Sequence, residues 1–159
     1  MPGRVIRGAI VAVCLAGCAS SQPRPAAPAE PAMRWSLSEV DGEGVKLAFG
    51  VPQTDDAPVI LTCQPGSDRV RISLSGPDQV IVKPQIVMHS GSATSRIAAR
   101  QFADEGLGSR TVGLTTVRDP ALVGFAASGR LSLEIAGNSG RTPTDDPGLV
   151  RRFIKSCSK

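Results

Sequence analysis

The chain has 159 residues, with 18 Lys and Arg against 14 Asp and Glu, for a formal charge of +4. It contains no Tyr, one Trp, four Phe, four Cys and one His. So few aromatics and so small a charge excess provide neither a base-stacking platform nor a clustered basic footprint, which argues against nucleic acid as a partner.

Arg4 and Arg7 precede the apolar run Ala9-Ile10-Val11-Ala12-Val13-Cys14-Leu15-Ala16, with no acid among them. A basic start, a short apolar middle and small residues make the layout of a secretory signal. The run falls far short of the ~20 residues that a lasting membrane-spanning helix needs. It closes on Leu15-Ala16-Gly17-Cys18, which resembles the lipobox of bacterial lipoproteins. The resemblance covers the start of the chain alone. It implies removal of residues 1–17, a diacylglycerol on the sulfur of Cys18 and a further acyl chain on its new amino group. Two or more acyl chains anchor stably where one does not. The resemblance also implies an outer-membrane address facing the periplasm, since Ala19 is not the Asp of a retained lipoprotein. The alternative is an ordinary signal peptide cut at Ala16 or Ala19, leaving a soluble protein.

Losing residues 1–17 removes two of the 18 basic residues and none of the 14 acids, so the mature chain is only slightly basic. The cysteines then sort by place. Cys14 leaves with the signal and Cys18 takes lipid. Cys63 and Cys157 remain, and an oxidising periplasm favours their pairing. Two cysteines and one distant His are a poor zinc site, because structural zinc takes four protein ligands. No metal or cofactor is expected.

Residues 18–33 carry Pro23, Pro25, Pro28 and Pro31 among small residues. Such a stretch favours extended polyproline conformation, and at ~3.1 Å per residue it reaches up to ~45 Å from the membrane. It is a tether.

The folded domain spans 34–159. Trp35 and Leu37 alternate with serines, Asp41-Gly42-Glu43-Gly44 turns the chain, and Val45, Leu47, Phe49 and Val51 alternate after it. This predicts a hairpin. Val59, Leu61 and Cys63 share the inward face of the next strand, and Val70, Ile72 and Leu74 that of the one after. Val80–Val82 and Ile86–Met88 read as strands, with Pro84 marking an edge or a bulge. A strand is expected through Ile97, a loop over Asp104–Gly108, and a strand over Thr111–Thr116 with Val112 and Leu114 inward. Asp119-Pro120 starts a helix with Leu122, Phe125 and Ala126 on one face and Gly129 at its end. Leu131, Leu133 and Ile135 form a further strand, followed by a loop over Gly137–Gly140. Asp146-Pro147 starts the last helix, whose apolar stripe is Leu149, Val150, Phe153, Ile154 and Cys157. That stripe carries Cys157 towards the sheet face that carries Cys63. The expected fold is mainly β, an antiparallel sandwich or open barrel of about eight strands, with a carboxy-terminal helix.

The chain is poor in chemistry-bearing residues. His89 is its one histidine, and no nucleophile-elbow sequence accompanies it. A periplasmic hydrolase would have to use it, with geometry deciding whether a relay exists. Asp55-Asp56 and Asp145-Asp146 each follow a Thr, and they read as turn formers and caps. Arg151, Arg152, Lys155 and Lys159 make a basic end suited to a solvated helix face, anionic lipid or peptidoglycan. The stretch Ser90–Arg96 is similar to the Ser- and Arg-bearing loop of small lipidated lysozyme inhibitors, although this chain has no Tyr to follow the Arg. The leading expectation is a non-catalytic binding or assembly module of the cell envelope. Its partners would be the membrane, through Cys18, and an envelope protein or peptidoglycan. The alternatives are a hydrolase using His89 or a lysozyme-inhibitor-like protein.

Overall fold

The computed structural model describes residues 32–42, 44–76, 79–104, 108–144 and 146–158. The expected signal, lipidated Cys18 and most of the tether lie outside the described residues, as do Asp145, Lys159 and residues 105–107 of the expected loop. The elements in order are β1 (Arg34–Val40), β2 (Gly44–Gly50), β3 (Val59–Cys63), β4 (Arg69–Gly76), β5 (Gln85–Ser90), β6 (Ala93–Asp104) and β7 (Gly108–Thr116). Then come α1 (Pro120–Ser128), β8 (Arg130–Ile135), β9 (Asn138–Pro143) and α2 (Pro147–Cys157). Among the described residues no helix is long and apolar enough to cross a membrane.

The strands form one antiparallel sheet in the order β1-β2-β3-β4-β7-β6-β5-β8-β9, curled into a nearly closed barrel. The open-barrel expectation holds, with nine strands where turn spacing suggested about eight. The 12 residues of β6 make the curl possible. Its first half pairs with β5 and its second half with β7. The helices pack on each other inside the curve, α1 against β5, β6 and β8, and α2 against β1 and β2. Leu47, Leu61, Ile72, Ile86, Met88, Phe125 and Phe153 fill the centre and are sealed from solvent.

Both helices start as their sequences demand. The Asp119 carboxylate accepts hydrogen bonds from the amides of Ala121 (2.9 Å) and Leu122 (3.3 Å). It also accepts from the hydroxyls of Ser95 and Thr115, so a helix cap doubles as a buried anchor to the sheet. Gly129 ends α1 at φ 68°, the left-handed conformation that glycine adopts without strain. Asp146 caps α2 by accepting from the Gly148 amide at 2.8 Å.

The end of α2 is fastened twice. Its last carbonyls lack partners within the helix. Two of them, on Ser156 and Cys157, accept from the Gly66 and Asp68 amides of the β3–β4 turn. Beside them the sulfurs of Cys63 and Cys157 lie at bonding distance, with the Cα atoms 5.7 Å apart.

Four local expectations are corrected. Val112 and Leu114 point outward: Gly113 lies opposite Ile72 and Thr111 opposite Leu74, so Thr111 and Gly113 hold the inward positions. A side chain at Gly113 would meet Ile97, which fills that space instead. Residues 80–82 belong to a loop whose shape is set by Gln101. Its Oε1 accepts from the Ile81 amide and its Nε2 donates to the Gln79 carbonyl. Ile81 is tucked in, whereas Val80 and Val82 are exposed. Pro84 does not mark an edge, since β5 lies between β6 and β8. The expected loop at Gly137–Gly140 is a two-residue turn, Ala136-Gly137, feeding edge strand β9.

Candidate functional site

Each candidate from the sequence has a defined surrounding, except Cys18, Asp145 and Lys159. His89 lies on the outer face of β5. Its Nδ1 shares a hydrogen bond with Thr94 Oγ1 at 2.9 Å. Among the described residues no hydrogen bond joins it to a serine or a carboxylate. Ser90 turns the opposite way, and its hydroxyl is buried and donates to the Arg130 carbonyl at 2.7 Å. The parts of a relay are therefore not assembled. The stretch Ser90–Arg96 is no extended loop. Ser90 pairs with Ala93 across a two-residue turn, and the rest is strand β6.

Asp55-Asp56 and Asp146 behave as turn and cap residues. The Asp56 carbonyl accepts from the Val51 amide, and Thr54 Oγ1 accepts from the Asp56 amide, closing the β2–β3 connection. Asp146 caps α2 and lies 3.6 Å from Arg152 on the exposed surface, a pair of little energetic weight. Arg151 donates to the Ala126 carbonyl and so ties α2 to α1. Among the described residues no group of three or more His, Cys, Asp or Glu is arranged to hold a metal ion.

What the sequence did not disclose is a cavity at the seam. The sheet ends β1 and β9 are not joined by a ladder. Near one point Trp35 bridges them, its Nε1 donating to the Thr142 carbonyl at 3.1 Å. The Trp35 ring is held between Phe49 at 5.4 Å and Phe125 at 5.2 Å, centroid to centroid. Beyond this bridge the barrel stays open in a cavity of about 430 Å³. One wall is Phe49, Val59 and Leu74, and the other is Leu133 and Ile135. Ser75, Asn138, Arg141 and Thr142 supply its polar lining. The volume falls within the ~300–1,000 Å³ typical of small-molecule sites, and apolar walls with a few polar groups are the usual composition.

The cavity exists because β9 is built from small and polar residues. Its inward positions are Asn138, Gly140 and Thr142, opposite Ile135, Leu133 and Leu131. None of these inward positions carries a large apolar side chain to meet Val59 or Leu74. Accessibility follows: Val59, Leu74, Leu133 and Ile135 keep 3–7 % exposure, whereas Leu61, Ile72, Ile86 and Met88 deeper in keep 0–1 %. The sequence signal was the lack of apolar alternation in Asn138–Pro143. It led to the expectation of a loop, and it marks the thin wall of the cavity.

On the outer face next to this seam lies a second cleft, lined by His89, Gly91, Arg130, Leu131, Ser132 and Arg141. Arg141 belongs to the lining of both. Comparison with family models, with curated proteins and with solved structures finds no match to this chain.

Proposed function

We propose that this chain is a lipoprotein anchored through Cys18 to the periplasmic face of the outer membrane, and that its folded part is a non-catalytic binding module. The module takes an apolar small molecule, or the apolar part of a larger one, into the seam cavity. The observation that carries the binding role is the cavity itself: two apolar walls face each other without meeting, beside a barrel core that is otherwise sealed. Small barrels commonly hold one ligand in such a space. The anchor is supported by Leu15-Ala16-Gly17-Cys18 behind a signal-like run. The periplasmic address is in keeping with sulfurs at bonding distance between β3 and α2.

Two measurements test the reading. Mass spectrometry of the native product should find Cys18 at the amino terminus with added acyl mass. A product beginning elsewhere without that mass removes the anchor. Calorimetric titration of the purified chain carrying Cys18→Ser with 1-decanol should show saturable binding. Leu133→Trp, which fills the cavity from β8, should abolish it. Absence of binding at the solubility limit removes the cavity role.

A further inference from the structure

We infer that the occupant of the seam cavity is a single-chain amphiphile with an anionic head: its chain lies between the apolar walls and its head is held by Arg141. The inference rests on the proposed function, since it names the ligand class of the same cavity.

The first support is the placement of charge. Arg141 stands on edge strand β9, where it borders the cavity on one side and the outer cleft on the other. The sheet register sets Thr94, His89, Ser132 and Arg141 in one row across β6, β5, β8 and β9. Arg130 lines the same cleft, which measures about 540 Å³. Arg130, Arg141 and His89 thus line one concavity whose lining contains no acid. Glu134, two residues along β8 from Ser132, lines neither the cleft nor the cavity. Among the described residues neither Arg130 nor Arg141 makes an ion pair.

The second support is what such a rim does physically. A planar guanidinium binds a carboxylate or phosphate through two parallel hydrogen bonds. At the mouth of an apolar cavity it selects ligands that are charged at one end and greasy along the rest. The other polar groups of the lining, on Ser75, Asn138 and Thr142, are neutral and few. They leave the length of the cavity to hydrocarbon. Ser132 does not compete for the head, since its hydroxyl donates to the Gly140 carbonyl.

Titration calorimetry with decanoate, 1-decanol and inorganic phosphate tests this on the Cys18→Ser chain. Decanoate should bind about tenfold tighter than 1-decanol, the effect of one charge-assisted contact. Arg141→Gln should bring decanoate down to the affinity of 1-decanol and leave 1-decanol unmoved. Raising the salt should weaken decanoate alone, an independent reading in the unmutated side chains. Each methylene added to the carboxylate should tighten binding roughly three- to fourfold until the cavity is full. Equal affinities for decanoate and 1-decanol, or a decanoate advantage that survives Arg141→Gln and high salt, would overturn the anionic head and leave the cavity role standing. Phosphate binding as tightly as decanoate would overturn the amphiphile, because the head would then suffice. Failure of both decanoate and 1-decanol to bind would remove the proposed function itself.

Discussion

Asp119 is a single carboxylate with four donors around it: two amides of α1 and the hydroxyls of Ser95 and Thr115. Removing it strips a helix cap and leaves polar groups in a buried setting. Asp119→Ala should therefore lower stability by about 2–3 kcal/mol in urea unfolding, more than the ~1 kcal/mol of an exposed cap. A loss below that of an exposed cap would mean that the sheet contacts contribute nothing. Thr111 presents the opposite case. It is fully buried, and its hydroxyl has no hydrogen-bond partner among the described residues. Replacing an unsatisfied hydroxyl by a methyl of the same shape removes a desolvation penalty. Thr111→Val should raise stability by about 1 kcal/mol. A decrease in the same unfolding experiment would show that the hydroxyl does have a partner.

Helix α2 is an amphipathic element whose end is fixed to β3 and to the β3–β4 turn by a sulfur link and two backbone hydrogen bonds. The link joins residues 94 apart in sequence, so it restricts most of the domain in the unfolded chain. The chain-entropy account gives roughly 4–5 kcal/mol for a loop of that size. Thermal unfolding of Cys63→Ala/Cys157→Ala beside the oxidised chain should show a lower midpoint, and reductant should move the unmutated chain to the same value. An unchanged midpoint would mean that the two amide contacts already hold α2 in place.

Legibility in the sequence followed the same division by element. Strands β2, β3, β4 and β8 were readable because apolar residues recur at every second position in each, and both helices because Asp-Pro opens them. Strand β9 was not readable, because Asn138–Pro143 holds no large apolar residue and is kept in the sheet by its ladder to β8. On β7 the sequence points to the opposite face, because Val112 and Leu114 outrank Thr111 and Gly113 in hydrophobicity. Volume from Ile97 and Ile86 decides that face, and a single strand does not reveal its neighbours. The cavity was hidden for the same reason: it is defined by what β9 omits across from β3 and β4.

At the scale of the whole molecule, the nine strands curl nearly far enough to close, and the helices fill only part of the interior. The unfilled part is the cavity, and edge strand β9 forms one side of it. The exposed cations along β9 and its neighbours give the entrance a polarity that the interior lacks, which is why chemistry at this seam is more informative than the lone histidine.

The seam also has an optical consequence. With one Trp and no Tyr in the chain, ultraviolet emission excited above the phenylalanine band comes from Trp35 alone. That indole is 4 % exposed and bridges the two sheet ends. Its emission should be blue while the ends stay together and move to longer wavelength as they part. The molecule thus carries a native gauge of its own breathing, readable in a cuvette without attaching a dye.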